Sequence, residues 1–216
     1  MRAMSLWLAG LGATSLAVIV CDIWLDRPIA LWVHSHLRLG FHGMVTRFSH
    51  VQDPLIPLAI VALIALGLRA AVSRSLPARY GAMIFVASVS VLATEAIKDR
   101  LKIVFSRSWP ESWMGNNPSF IRDGVYGFHF FQGGANYQSF PSGHMAASCA
   151  VLAVLWIWYP RWRVLYAIAA TLVGLGLVAT NYHFLSDVIA GGFLGLSTGW
   201  LACSAWKGLV AARGLR

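Results

Sequence analysis

Residues 141–206 read PSGHMAASCAVLAVLWIWYPRWRVLYAIAATLVGLGLVATNYHFLSDVIAGGFLGLSTGWLACSAW. Three apolar runs, 142–159, 164–182 and 187–206, follow one another, parted only by a basic turn at Arg161 and Arg163 and a polar step around His183. Each is close to the roughly 20 residues that a helix needs to cross hydrocarbon. Working outward, the same apolar density recurs at 5–25, 54–72 and 80–97. The chain of 216 residues is 58% hydrophobic and 12% charged, against about 45–50% and about 25% in soluble domains. The expected architecture is an all-α integral membrane protein. It is a six-span helical bundle forming one membrane domain over 1–216, with a core over 80–205.

Charge sets the orientation. With the N-terminus inside, the inner loops at 73–79 and 160–163 hold Arg74, Arg79, Arg161 and Arg163 and no acid. All eight Asp and Glu then fall on the outer side. Short, purely basic loops face the cytoplasm, so the expectation is a multi-pass protein of a bacterial inner membrane. The net charge of +9 faces the inner leaflet, which excludes a nucleic-acid partner. The first run is read as an uncleaved anchor, too long for a signal h-region. Cys21, Cys149 and Cys203 lie within spans at no metal or redox spacing and read as small buried apolar side chains.

Two segments are polar. The first, 26–53, mixes apolar residues with His34, His36, His42 and His50, as helices lying in the interface do. No carboxylate pattern accompanies these histidines, and no metal site is read there. The second, 99–141, is rich in Gly, Asn, Pro and Ser, with Trp109, Phe120, Tyr126, Phe128 and other aromatics. Loops of that length are commonly functional, and the aromatics mark this one as a folded cap on the outer face.

Polar groups at span ends carry the chemistry in so apolar a chain. Ser142, Gly143 and His144 open the fourth run, where a helix N-terminus offers unpaired N–H groups to an anion. Gly143 admits close backbone approach, Ser142 adds a hydroxyl and His144 can exchange a proton. His183 and Asp187 stand four apart, a spacing that on a helix lets a carboxylate take the Nδ1 proton and leave Nε2 free. Lys102 and Arg107 follow the third run and could hold a phosphate. Each set also has a plainer reading: an ordinary N-cap, a capping pair, and cations balancing Glu95, Asp99 and Glu111.

Taken together, these residues resemble the type 2 phosphatidic acid phosphatases, whose motifs run K-x6-R-P, P-S-G-H and S-R-x5-H-x3-D. P-S-G-H is complete at 141–144, and H-x3-D at His183 and Asp187. The first motif reads Lys102-x6-Trp109-Pro110, with Trp for Arg, or in another register Arg100-x6-Arg107. The S-R of the third motif reads Gly176-Leu177. Arg122 and Asn181 are candidates for the missing function. The resemblance implies a membrane lipid phosphatase or phosphotransferase that needs no metal and no cofactor, its site facing the periplasm. It makes His183 the nucleophile, forming a phosphohistidine, with Asp187 orienting it and His144 as the acid and base. Lys102, Arg107, Ser142 and Gly143 would hold the phosphate of a membrane lipid. The alternative is a lipid-phosphate binder or transporter of the same fold, for which the missing arginines speak.

Overall fold

The computed structural model describes residues 2–37, 54–73, 79–112 and 116–213. Among them every regular element is helical, and β structure is limited to isolated bridges. Helix α1 (Arg2–Val20) passes through a π-helical turn, Cys21–Leu25, into α2 (Asp26–His36). Then come α3 (Leu55–Ser73), α4 (Arg79–Phe105), the short α5 (Phe120–Asp123), α6 (Gly143–Trp158), α7 (Arg163–Ala179) and α8 (Leu185–Ala212).

Among the described residues five helices are long and apolar enough to cross a membrane: Ala3–His36, Leu55–Ser73, Arg79–Phe105, Pro160–Ala179 and Leu185–Ala212. The remaining expected span, the fourth at 142–159, is α6, which has only 16 residues. At 1.5 Å per residue it measures about 24 Å, short of the ~30 Å hydrocarbon thickness. The chain is thus an all-helical, multi-pass membrane protein in which one central helix is too short to span by itself. The first helix also runs further than expected, because Asp22, Asp26 and Arg27 break its hydropathy without breaking its backbone. Residues 38–53, with His42 and His50, lie outside the described residues.

Small residues bring the core helices together. Along α8, Gly191 and Gly195 are spaced one turn apart and face α6. A Cβ at Gly191 would collide with the Ser142 carbonyl, and one at Gly195 with the Ala146 carbonyl. Close backbone approach through small residues is how helices associate in lipid, where apolar burial gives no advantage. Buried hydroxyls add to it: Thr94 of α4 and Thr198 of α8 lie 2.6 Å apart, oxygen to oxygen. On the other side of α8, the Trp7 indole of α1 donates to Ser197 at 3.0 Å. Ala59, Val91 and Ala150 join α3, α4 and α6, and Val86, Val154 and Cys203 join α4, α6 and α8.

Past Phe105 the chain folds over one end of the bundle, as the aromatic content suggested. Phe105, Phe128 and Phe140 meet edge to face with centroids 4.9 to 5.9 Å apart. Tyr126 meets Phe120 at 5.5 Å and Phe184 at 5.3 Å. Ser119 caps α5 by accepting from the Arg122 amide.

Candidate active site

The site forms where three connections meet: the C-terminal end of α4, the entry to α6, and the turn from α7 into α8. Ser142 is the N-cap of α6, its hydroxyl oxygen accepting from the Met145 amide at 3.3 Å. Its own amide donates to the Asp187 carbonyl at 3.0 Å. That bond ties the start of α6 to the first turn of α8, so the two complete motifs are in direct contact.

The turn between α7 and α8 requires a left-handed residue, which Asn181 supplies at φ 53°. His183 follows, 2% exposed, with its Nδ1 3.5 Å from Asp187 Oδ2. The same carboxylate oxygen accepts from Ser139 Oγ at 2.6 Å and from the Phe184 amide at 3.0 Å. Ser139 Oγ also lies 3.4 Å from His183 Nδ1. Burial pulls the His183 pKa below the ordinary histidine value, against the opposing pull of Asp187. The ring is therefore neutral at neutral pH, with Nδ1 turned to the carboxylate. The half-buried His144 ring stands 6.1 Å from that of His183, centroid to centroid, and Tyr182 packs against both.

Lys102 reaches toward the same place, its ammonium 5.8 Å from the Trp109 ring. Trp109 in turn lies 5.4 Å from the His183 ring and is 6% exposed. It packs where the first motif would have carried arginine. Lys102 makes no hydrogen bond or ion pair among the described residues. Asp99, Glu95 and Asp187 act on its charge from a distance, and an ammonium with no bonded partner in a half-buried site favours an anion there.

Sequence reasoning passed over Lys98, one turn before Lys102. Its stem fills the space that Gly143 leaves open, since a Cβ at Gly143 would meet Lys98 Cδ at 2.9 Å. Its ammonium pairs with Glu95 at 2.5 Å and Asp99 at 3.2 Å. Ser139 was also missed, as were Asp22 and Asp26. The signal for the acids was present: two carboxylates four apart in an otherwise apolar span.

Arg107 stands elsewhere than expected. The sequence placed it among the phosphate-holding groups, but its side chain is fully buried and its guanidinium bonds Asp187, Asp22 and Asp26. Those bonds occupy both Nη atoms on the side of Asp187 away from His183. The other proposed substitutes are also engaged. Arg122 is exposed and bonds Asp123 and the carbonyls of Asn116 and Asn117. Asn181 Nδ2 donates to the Ala30 carbonyl at 3.0 Å. Leu177, at the third motif's arginine position, is completely buried. Among the described residues no three His, Cys, Asp or Glu side chains are grouped as metal ligands.

An apolar cavity of about 750 Å3 lies beside this constellation, lined by Met145, Cys149, Val188, Gly192, Phe193 and Leu196 among others. Met145 and Val188 adjoin His144 and Asp187 in sequence, and the rest of the lining follows α6, α7 and α8 away from them.

A family model described as the PAP2 superfamily matches residues 81–209. Two curated proteins named lipid A 1-phosphatase, from Rhizobium johnstonii and Rhizobium etli, are each 36% identical to this chain over 89 residues. The matched stretch is 41% of this chain but only 33% and 34% of theirs, so it spans about a third of those relatives' length. Among solved structures, a transmembrane PAP2-type phosphatidylglycerolphosphate phosphatase from Bacillus subtilis superposes with a TM-score of 0.52 at 17% identity. That superposition covers 90% of this chain and 94% of the other, a likeness of fold.

Proposed function

From the premise that this chain belongs to the PAP2 superfamily, we propose that it is a metal-independent membrane phosphatase acting on a lipid phosphate. The observation that carries the reading is the convergence of His144, the buried His183–Asp187 pair and Lys102 at the N-terminus of α6. A binding site needs a cation and backbone donors. It does not need a neutral imidazole held by a carboxylate.

In the proposed reaction His183 Nε2 attacks phosphorus while Nδ1–H stays with Asp187. The N–P bond forms as the bond from phosphorus to the lipid oxygen breaks. His144, protonated, gives its proton to that leaving oxygen. It then takes a proton from water, whose oxygen attacks phosphorus, and the N–P electron pair returns to His183. Lys102, the Gly143 amide and the Ser142 hydroxyl meet the equatorial oxygens, where charge is greatest. Ser142 Oγ already accepts from Met145, which leaves its O–H to donate. Phosphoryl transfer to a second lipid in place of water uses the same intermediate.

The lipid character of the substrate is supported by the apolar cavity at Met145 and Val188, which suits a hydrocarbon chain. The relatives' name makes a lipid A type phosphomonoester the first substrate to try. The location proposed is the periplasmic side of an inner membrane. In support, the site and its acids sit at the opposite ends of α4, α6 and α7 from Arg79, Arg161 and Arg163. Purely basic short loops are the cytoplasmic ones.

The test is phosphate release by purified protein in detergent, in excess EDTA, from a panel of lipid phosphates, with His183→Ala beside wild type. Release that resists EDTA and is abolished in the variant is the expected result. A folded wild type that releases nothing would favour the second reading, a lipid-phosphate binder or transporter. That reading draws on Trp109 and Leu177 standing where the family carries arginine.

A further inference from the structure

Arg107 is the most heavily engaged charge near the site. Nη1 donates to Asp187 Oδ1 at 2.5 Å and to Ser186 Oγ at 2.5 Å. Nη2 donates to Asp22 at 2.6 Å, Asp26 at 2.8 Å and the Tyr126 hydroxyl at 3.3 Å. The Phe128 and Phe184 rings cover the guanidinium, 4.7 and 4.5 Å from its central carbon. A phosphate clamp must present free N–H groups and uncompensated charge to the substrate. Here both Nη atoms and the charge are committed to carboxylates, and His183 lies on the other oxygen of Asp187.

We propose that Arg107 is a positioning residue, acting through Asp187. It pins Oδ1 of that carboxylate, aims Oδ2 at His183, and joins the pair to Asp22 and Asp26 of the first membrane helix. This rests on the phosphatase reading above for its catalytic meaning, though not for its geometry. The network has an electrostatic reason. Asp22, Asp26 and Asp187 converge on one guanidinium, and Asp26 also accepts from the Ser186 hydroxyl and amide. Without Arg107 the carboxylates would repel one another, and a positive charge on the neighbouring His183 ring would relieve that repulsion. The two helical segments meeting at Asp22 and Asp26 are joined by the π turn at Cys21–Leu25, a device often found where a helix must re-aim side chains at a site.

His183 is faced by Lys102 from α4, His144 from α6, Tyr182 and Ser139 from the loops, and Asp187 from α8. In Arg107→Met all of these remain, but Asp187 loses its counter-charge. A bare carboxylate favours the imidazolium more strongly, and a protonated His183 cannot attack. The acid limb of kcat/KM therefore moves to higher pH, and so does the His183 titration.

The experiment follows His183 by 15N-imidazole NMR against pH in the full chain in detergent, together with turnover and inhibition by inorganic phosphate. The expected result for Arg107→Met is an upward shift of the His183 titration, with kcat about 100-fold lower and phosphate inhibition changed less than about threefold. Arg107→Lys should return part of the activity and part of the shift, since it keeps the charge without the fork. Should Arg107→Met not fold, Arg107→Met with Asp26→Asn removes an unpaired buried carboxylate and is expected to fold with the same upward shift. An unmoved His183 titration, with phosphate inhibition weakened about tenfold or more, would overturn the proposal and restore the clamp. A wild type with no turnover would sink the phosphatase reading alone, because the titration still reports whether Arg107 acts through Asp187.

Discussion

Asp187 receives donors on both oxygens: Arg107 on Oδ1, and Ser139 with the Phe184 amide on Oδ2. A carboxylate so held has little rotational freedom, and the ring it supports inherits that fixity. His183 makes its closest polar contacts through Nδ1, so Nε2 is the nitrogen left to react. Ser139 offers the smallest perturbation of this arrangement. Ser139→Ala removes one hydroxyl from a buried charged acceptor, a loss of about 1.5–3 kcal/mol, or roughly 10- to 100-fold in rate if expressed in the transition state. Because Ser139 is fully buried, KM for the lipid should change little while kcat falls. Steady-state kinetics in mixed micelles separate the two parameters, and a rise in KM alone would place Ser139 against the substrate instead.

At the scale of elements, the site depends on α6 and α8 lying almost backbone to backbone. Gly195→Ala would drive its methyl into the Ala146 carbonyl and close against Ala150 N and Cys149 Cβ. Backbone cannot yield as a flexible side-chain end does, so the helices must part, at about 1–3 kcal/mol for overpacking. Gly208, on the same helix, has nothing within 4 Å of its would-be Cβ. Gly208→Ala should instead be neutral or gain up to about 1 kcal/mol of helix propensity. Thermal unfolding in one detergent, with both variants side by side, checks the contrast. If Gly195→Ala matched Gly208→Ala, the close packing of α6 on α8 would be wrong. This element was legible in part. Hydropathy placed α3 and α7 to within three residues and the starts of α4 and α8 to within two, because a long apolar run in lipid has hardly any choice but helix, but α4 and α8 run on past the apolar stretch to Phe105 and Ala212. The stripe of Gly191 and Gly195 was equally present in the text. Its significance depends on which helix faces it, and hydropathy does not carry that information.

For the whole molecule, what could be read in advance divides along contact distance. His183 and Asp187 are four residues apart and Ser142 and His144 two, so local spacing exposed them. The carboxylate partners of Arg107 lie 80 or more residues away along the chain, and only closure of the π turn, α2 and α8 around it brings them together. Seen locally, Arg107 was one more cation after a span. The proposed topology, by contrast, rests on a global charge asymmetry that the sequence carries openly, and it can be tested without any substrate. Cys21, Cys149 and Cys203 are all buried, so the native chain should react poorly with a membrane-impermeant maleimide in intact cells. Asn136→Cys places an exposed thiol on the cap beside the site, and Ala211→Cys places one at the far end of α8; both positions are exposed. With the short loops of Arg79, Arg161 and Arg163 on the cytoplasmic side, the first thiol should label once the outer membrane is permeabilised. The second should label only after lysis. The reverse pattern would turn the site toward the cytoplasm and require its lipid to arrive from the inner leaflet. Labelling of both from outside would leave α8 ending on the same side of the bilayer as the cap, which needs an even number of crossings after the cap, whereas the six-span reading has three.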